Sequence, residues 1–111
     1  MIAEFNSEEL AVIEQSLKER FGKAVETSDV ETQLRLNPPS PELSTCAGVY
    51  WHADDCHFVV SKTGDSQYHS LFFYTEDEQF GTGKTFYDDI MDCVLTLLRA
   101  QADHHLQSKG L

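Results

Sequence analysis

The chain has 111 residues, with 19 Asp and Glu against 8 Lys and Arg, and a formal net charge of -11. Such a charge repels nucleic acid and anionic lipid, so neither nucleic acid nor a membrane is expected as a partner, and a basic protein is. Yet 41% of the residues are apolar, and seven Phe, four Tyr and one Trp fall in patterned runs, unlike a disordered acidic tail.

This length suits one domain with its own core, and residues 1–111 read as a single α+β domain. The start, MIAEFNSEEL, has neither the basic nor the apolar stretch of a secretory signal. The longest apolar runs are about four residues, against the ~20 that span a bilayer. Cys46, Cys56 and Cys93 are an odd number at wide spacing. They read as reduced, buried thiols in the cytoplasm, and not as a disulfide framework.

The first helix is signalled by Asn6 or Ser7 as N-cap, with Asn6 and Glu9 at capping-box spacing. Leu10, Ile13, Leu17 and Phe21 form its apolar stripe, and Gly22 supplies a left-handed C-terminal residue. Over Lys23 to Leu36 the period becomes two: Val30, Thr32, Leu34 and Leu36 alternate with Glu31, Gln33 and Arg35, a half-buried strand. Asn37-Pro38-Pro39-Ser40-Pro41 ends it, because proline cannot extend a ladder.

Three more strands are predicted, Cys46 to His52, Cys56 to Lys62 and Ser66 to Thr75. Polar turns at Asp54-Asp55 and Thr63-Gly64-Asp65 join them into an antiparallel meander of three or four strands. Val49 and Trp51 oppose Tyr50, and Leu71 and Phe73 oppose Phe72 and Tyr74, which predicts that both sheet faces are at least partly covered. Thr75 to Thr85 reads as a loop. Thr85 reads as the cap of a long helix to about His105, with Asp88 at the capping-box position. Phe86, Tyr87, Ile90, Met91, Cys93, Val94, Leu95, Leu97, Leu98 and Ala102 cover roughly 200° of that helix, with Gln101 inside the arc, more than a surface helix needs. The surplus predicts contact with the first helix or with a second subunit. The expected order is α-β-β-β-β-α, and a homodimer is expected through the long helix or an open aromatic sheet face.

Gly81-Thr82-Gly83-Lys84-Thr85 ends like a phosphate-binding loop. The full pattern needs a glycine five residues before Gly83, where the chain has Glu78 in an acidic run. It therefore reads as a turn and a helix cap, and no cofactor is expected. His52-Ala53-Asp54-Asp55-Cys56-His57 is the densest group of metal-ligand types. Strand alternation turns Cys56 and His57 to opposite faces, and no second pair has metal-knuckle spacing, so a polar hairpin with a buried thiol is the plainer reading. A small enzyme or metal-binding protein centred on His52, Cys56 and His57 is the runner-up. No nucleophile signature surrounds any cysteine.

The main candidate is acidic. Glu76, Asp77 and Glu78 precede the long helix, Asp88, Asp89 and Asp92 lie on its first turns, and Lys84 is the one basic residue between. A solvated helix face is the plain reading and a docking patch for a basic partner the sharper one. The function expected is a cytoplasmic, non-catalytic protein-binding module acting as adaptor, chaperone or inhibitor. In size and charge the chain is similar to bacterial secretion chaperones, which are small acidic α+β dimers; no motif adds to that likeness. A nucleic-acid mimic that inhibits a basic nuclease is a third reading, and requires acids spaced like phosphates.

Overall fold

The structure, a computed structural model, describes residues 4–34, 44–53, 55–75, 78–82 and 86–108. Helix α1 spans Ser7–Phe21. The Asn6 side chain accepts the Glu9 N–H, and the Asn6 N–H donates to Glu9 Oε1, both at 2.8 Å. This reciprocal pairing satisfies two donors that the helix leaves open. At the other end Gly22 takes φ 73° and its N–H donates to the Lys18 carbonyl at 2.8 Å, a left-handed stop that costs glycine nothing.

Five strands follow: β1 Thr27–Leu34, β2 Ser44–Ala53, β3 Cys56–Gly64, β4 Gln67–Thr75 and β5 Glu78–Phe80. They pair in sequence order, each antiparallel to the last. Helix α2 spans Ile90–Ser108. The molecule is thus an antiparallel meander flanked by an N-terminal and a long C-terminal helix, with a short fifth strand at the sheet edge. That strand lies where a loop was expected. Its one large apolar residue, Phe80, stacks on Phe72 at 5.4 Å and meets His104 of α2 at 4.3 Å. A single anchor among acids and glycines leaves no period-2 signal.

The second helix also starts later than Thr85. Tyr87 exchanges two backbone hydrogen bonds of 2.8 Å with Tyr68, an isolated bridge onto β4. Asp89 is the observed cap, accepting the Asp92 N–H at 3.1 Å. Phe86 and Tyr87 therefore leave the predicted helical arc. Gln101, the polar residue inside that arc, is buried and donates to the Tyr74 hydroxyl at 3.2 Å.

Both helices lie on one face of the sheet. Ile13 and Leu17 of α1 and Ile90, Cys93, Val94, Leu97 and Leu98 of α2 share one core with Val49, Trp51, Phe58, Val60 and Phe72. Trp51 and Phe58 stack there at 5.4 Å. Both sheet faces were expected to be at least partly covered; among the described residues the two helices cover one face and no helix lies on the second, where Cys46 and Ser61 are buried and Tyr50, His57, Val59, Leu71 and Phe73 are partly buried. Part of the predicted helical surplus is simply exposed, as Met91 (49%) and Leu95 (42%). No helix among the described residues is long and apolar enough to cross a membrane.

Candidate functional site

Of the predicted acidic patch, Glu76 and Asp77 lie outside the described residues, as do Gly83, Lys84 and Thr85 of the phosphate-loop-like segment. Glu78 is described by its backbone in β5. Asp88, Asp89 and Asp92 are exposed at the start of α2. The fold adds two acids that the sequence had not grouped with them. Glu8 of α1 and Asp65 of the β3–β4 turn join Asp88 and Asp89 around one shallow depression of about 320 Å³.

Beneath that depression lies a buried ion pair. Glu9 Oε1 accepts from Lys62 Nζ at 2.8 Å, with both side chains more than nine-tenths buried. Lys62 also donates to the Glu4 carbonyl at 3.0 Å, and the Tyr68 hydroxyl donates to Glu9 Oε2. Burial pushes the Glu9 carboxyl upward. The bonds from Lys62, Tyr68 and the Asn6 N–H, with the lysine charge, outweigh burial and hold it below the ordinary value. Burial first, then the bond to Glu9 and the negative charges nearby, keep Tyr68 protonated well above its usual range. Lys62 thus spends its charge inside the fold, and the acids at the rim stay uncompensated by it.

The His–Cys hairpin is split by the pleat, as alternation implies. Cys56 is fully buried on the helix side, its thiol against the His57 and Phe73 carbonyls at 3.6 Å. His52 and His57 face each other on the opposite side, rings 4.5 Å apart. The Tyr50 hydroxyl meets His57 Nδ1 at 2.5 Å, and Phe73 stacks on the same ring at 4.9 Å. The three runner-up residues do not converge, and no group of three metal-ligand side chains does among the described residues. Burial pushes the Cys93 thiol up to about 12 and raises Cys46 too, the opposite of what a nucleophilic thiolate needs. The phosphate-loop reading also fails on position: α2 begins at Ile90, so its N-terminus does not follow Thr85.

One site was missed from sequence. Between the lead-in to α1 and the sheet lies an open groove of about 370 Å³, within the range of ligand-sized pockets. Phe5, Leu10 and Ala47 give it an apolar lining, and Glu4, Asp29 and Glu31 give it three carboxylates. None of the three is in a salt bridge among the described residues. The sequence signal was there but inverted. By pattern, the alternation of Val30 and Thr32 with Glu31 and Gln33 reads as apolar-in, polar-out. Register instead puts Asp29 opposite Val49 and Glu31 opposite Ala47, on the helix-bearing side. The helices stop short of β1, so those acids border the groove. Val30 and Thr32 lie on the other face, over Gly48, where an added Cβ would come within 3.1 Å of both side chains. Comparison of the chain with protein-family models, curated proteins and solved structures gives no match.

Proposed function

We propose that the chain is a non-catalytic protein-binding module whose groove along β1 takes a cationic, amphipathic segment of a basic partner. The observation that carries this reading is the groove itself: three carboxylates, Glu4, Asp29 and Glu31, with no salt bridge among the described residues, beside an apolar floor of Phe5, Leu10 and Ala47. A lysine or arginine has the matching form. Its methylene stem lies on apolar surface while its head reaches a carboxylate. The depression ringed by Glu8, Asp65, Asp88 and Asp89, with Asp92 beside it, adds field of the same sign, which speeds the encounter more than it deepens affinity. Buried thiols and a split His–Cys hairpin support binding over catalysis. Three reduced, buried cysteines also favour a reducing compartment, the cytoplasm.

The test is titration of fluorescent peptides in which Lys or Arg alternates with Leu, against acidic peptides of the same pattern, at low and high salt. Basic peptides should bind and be weakened by salt. Asp29→Lys with Glu31→Lys should abolish binding, whereas Asp65→Lys with Asp88→Lys should mainly slow association. Equal binding of both peptide signs, or indifference to the β1 charge reversal, overturns the proposal. A native-lysate pull-down at two salt concentrations then looks for the natural basic partner.

A further inference from the structure

The face of the sheet turned away from the helices has an unusual composition for so acidic a chain. Register lays it out in rows running across the strands. One row is His52, His57, Phe73 and Gln79; the next is Ser28, Tyr50, Val59 and Leu71; the next is Val30, Gly48, Ser61 and His69. Thr32 and Cys46 begin the row after that. Among the described residues of these rows there is no Asp, Glu, Lys or Arg, in a sequence that is 24% charged. Tyr50, His57, Val59, Leu71 and Phe73 are each only partly buried. Burial also lowers the His69 imidazole from its ordinary value, which keeps that corner of the face neutral at physiological pH.

We infer that this uncharged sheet face is the contact between two copies of the chain, packed face to face about a two-fold axis. Charge selects the occupant. A basic partner finds no carboxylate among the described residues of these rows, whereas the helix-bearing side offers it Asp29, Glu31, Asp88 and Asp89. Two copies that each carry -11 can approach closely only through a surface free of that charge. The chemistry is also self-complementary, since a two-fold axis near Val59 sets the aromatic and aliphatic middle rows of one copy on those of the other. Area agrees. Strands β1 to β4 run eight to ten residues; at a strand spacing of ~4.8 Å and a rise of ~3.3 Å per residue they present roughly 600 Å². Two such faces bury about 1,200 Å², the lower limit for a stable specific interface. Sheets stacked this way lie ~10 Å apart with interdigitated side chains, the ordinary geometry of a sandwich. The exposed pair on α2, Met91 and Leu95, is a poorer candidate, because the charged residues Asp92 and Arg99 flank it and are exposed too.

Sedimentation velocity of the chain over a range of concentrations tests the inference. A dimer is expected at tens of micromolar, tighter by about tenfold or more in ~150 mM than in ~10 mM salt, as the Debye length falls from ~30 to ~8 Å. Leu71→Glu should give a folded monomer, and Leu95→Glu should leave the dimer intact. A wild-type monomer in both salts overturns the inference, as does a dimer broken by Leu95→Glu and not by Leu71→Glu. If Leu71→Glu fails to fold, Val59→Cys decides: a short bismaleimide, long enough to span the ~10 Å between stacked sheets, should link two copies, because the three native thiols are buried, and absence of the linked species refutes the contact. Peptide binding at the β1 groove is read separately and does not depend on this outcome.

Discussion

Lys62→Met should be among the most damaging single changes in the chain, for reasons set by the Glu9 carboxylate. That group accepts from Lys62 Nζ and the Asn6 N–H at one oxygen and from the Tyr68 hydroxyl at the other. Removing one partner of a buried ion pair typically costs about 3–5 kcal/mol, because the remaining charge is left without compensation. Asn6 and Tyr68 still serve Glu9 after the change, so the loss should lie near about 3 kcal/mol. Glu9→Gln should cost at least as much, since it leaves the Lys62 ammonium buried with no opposite charge and only neutral oxygens, the new amide and the Glu4 carbonyl, to accept from it. The double variant removes both charges and should cost less than the sum, with a coupling of about 2 kcal/mol or more. Urea denaturation of the four proteins at neutral pH measures this cycle. Acid adds a second reading. The folded Glu9 carboxyl lies below its ordinary value of 4.5, so its stabilisation is complete above the unfolded value and lost as pH falls through the folded one. Lys62→Met raises the folded value, and the acid limb of unfolding should move to higher pH. Single changes under about 1 kcal/mol that simply add, with an unmoved acid limb, would refute the reasoning.

Two further outcomes test the core. Leu98 is 3% exposed within the shared helix–sheet cluster, so Leu98→Ala should cost about 2–5 kcal/mol in the same denaturation assay, and a loss under about 1 kcal/mol would mean that α2 is packed in another register. Cys46, Cys56 and Cys93 are all buried, so a thiol reagent should react slowly with the native chain and rapidly with all three in denaturant; one fast thiol in the native state would contradict that burial.

The parts of this fold that announce themselves in sequence are those governed by local rules. Asn6, Glu9 and Gly22 define α1 because caps depend on neighbouring backbone groups. The hairpins declare themselves through short polar turns between apolar runs. Failure came where a distant contact decides. Tyr87 is helical by pattern, yet the free edge of β4 at Tyr68 offers it two backbone hydrogen bonds, and the helix waits for Asp89. Phe80 forms a strand because Phe72 and His104 are there to receive it. The acidic patch was half legible: Asp88, Asp89 and Asp92 are exposed as expected, but Glu8 and Asp65 join the first two through chain reversal. Glu9 shows the limit most sharply. Its capping role is written three residues away, and its ion pair, 53 residues away, is not.

The β1 groove and the open sheet face have one origin. A strand of alternating chemistry, Asp29-Val30-Glu31-Thr32, must send its acids to one side and its apolar residues to the other. With both helices seated over β2 to β4, the acid side of β1 falls beyond their reach and becomes the wall of a groove. The apolar side then extends the uncharged rows of the second face, closed around Gly48. One strand thereby separates two kinds of surface by the thickness of a sheet, a charged one suited to an opposite charge and an uncharged one suited to a like copy. Reversing the order of those four residues would exchange the two. The pleat, more than the net charge of -11, is therefore what determines where each partner would sit.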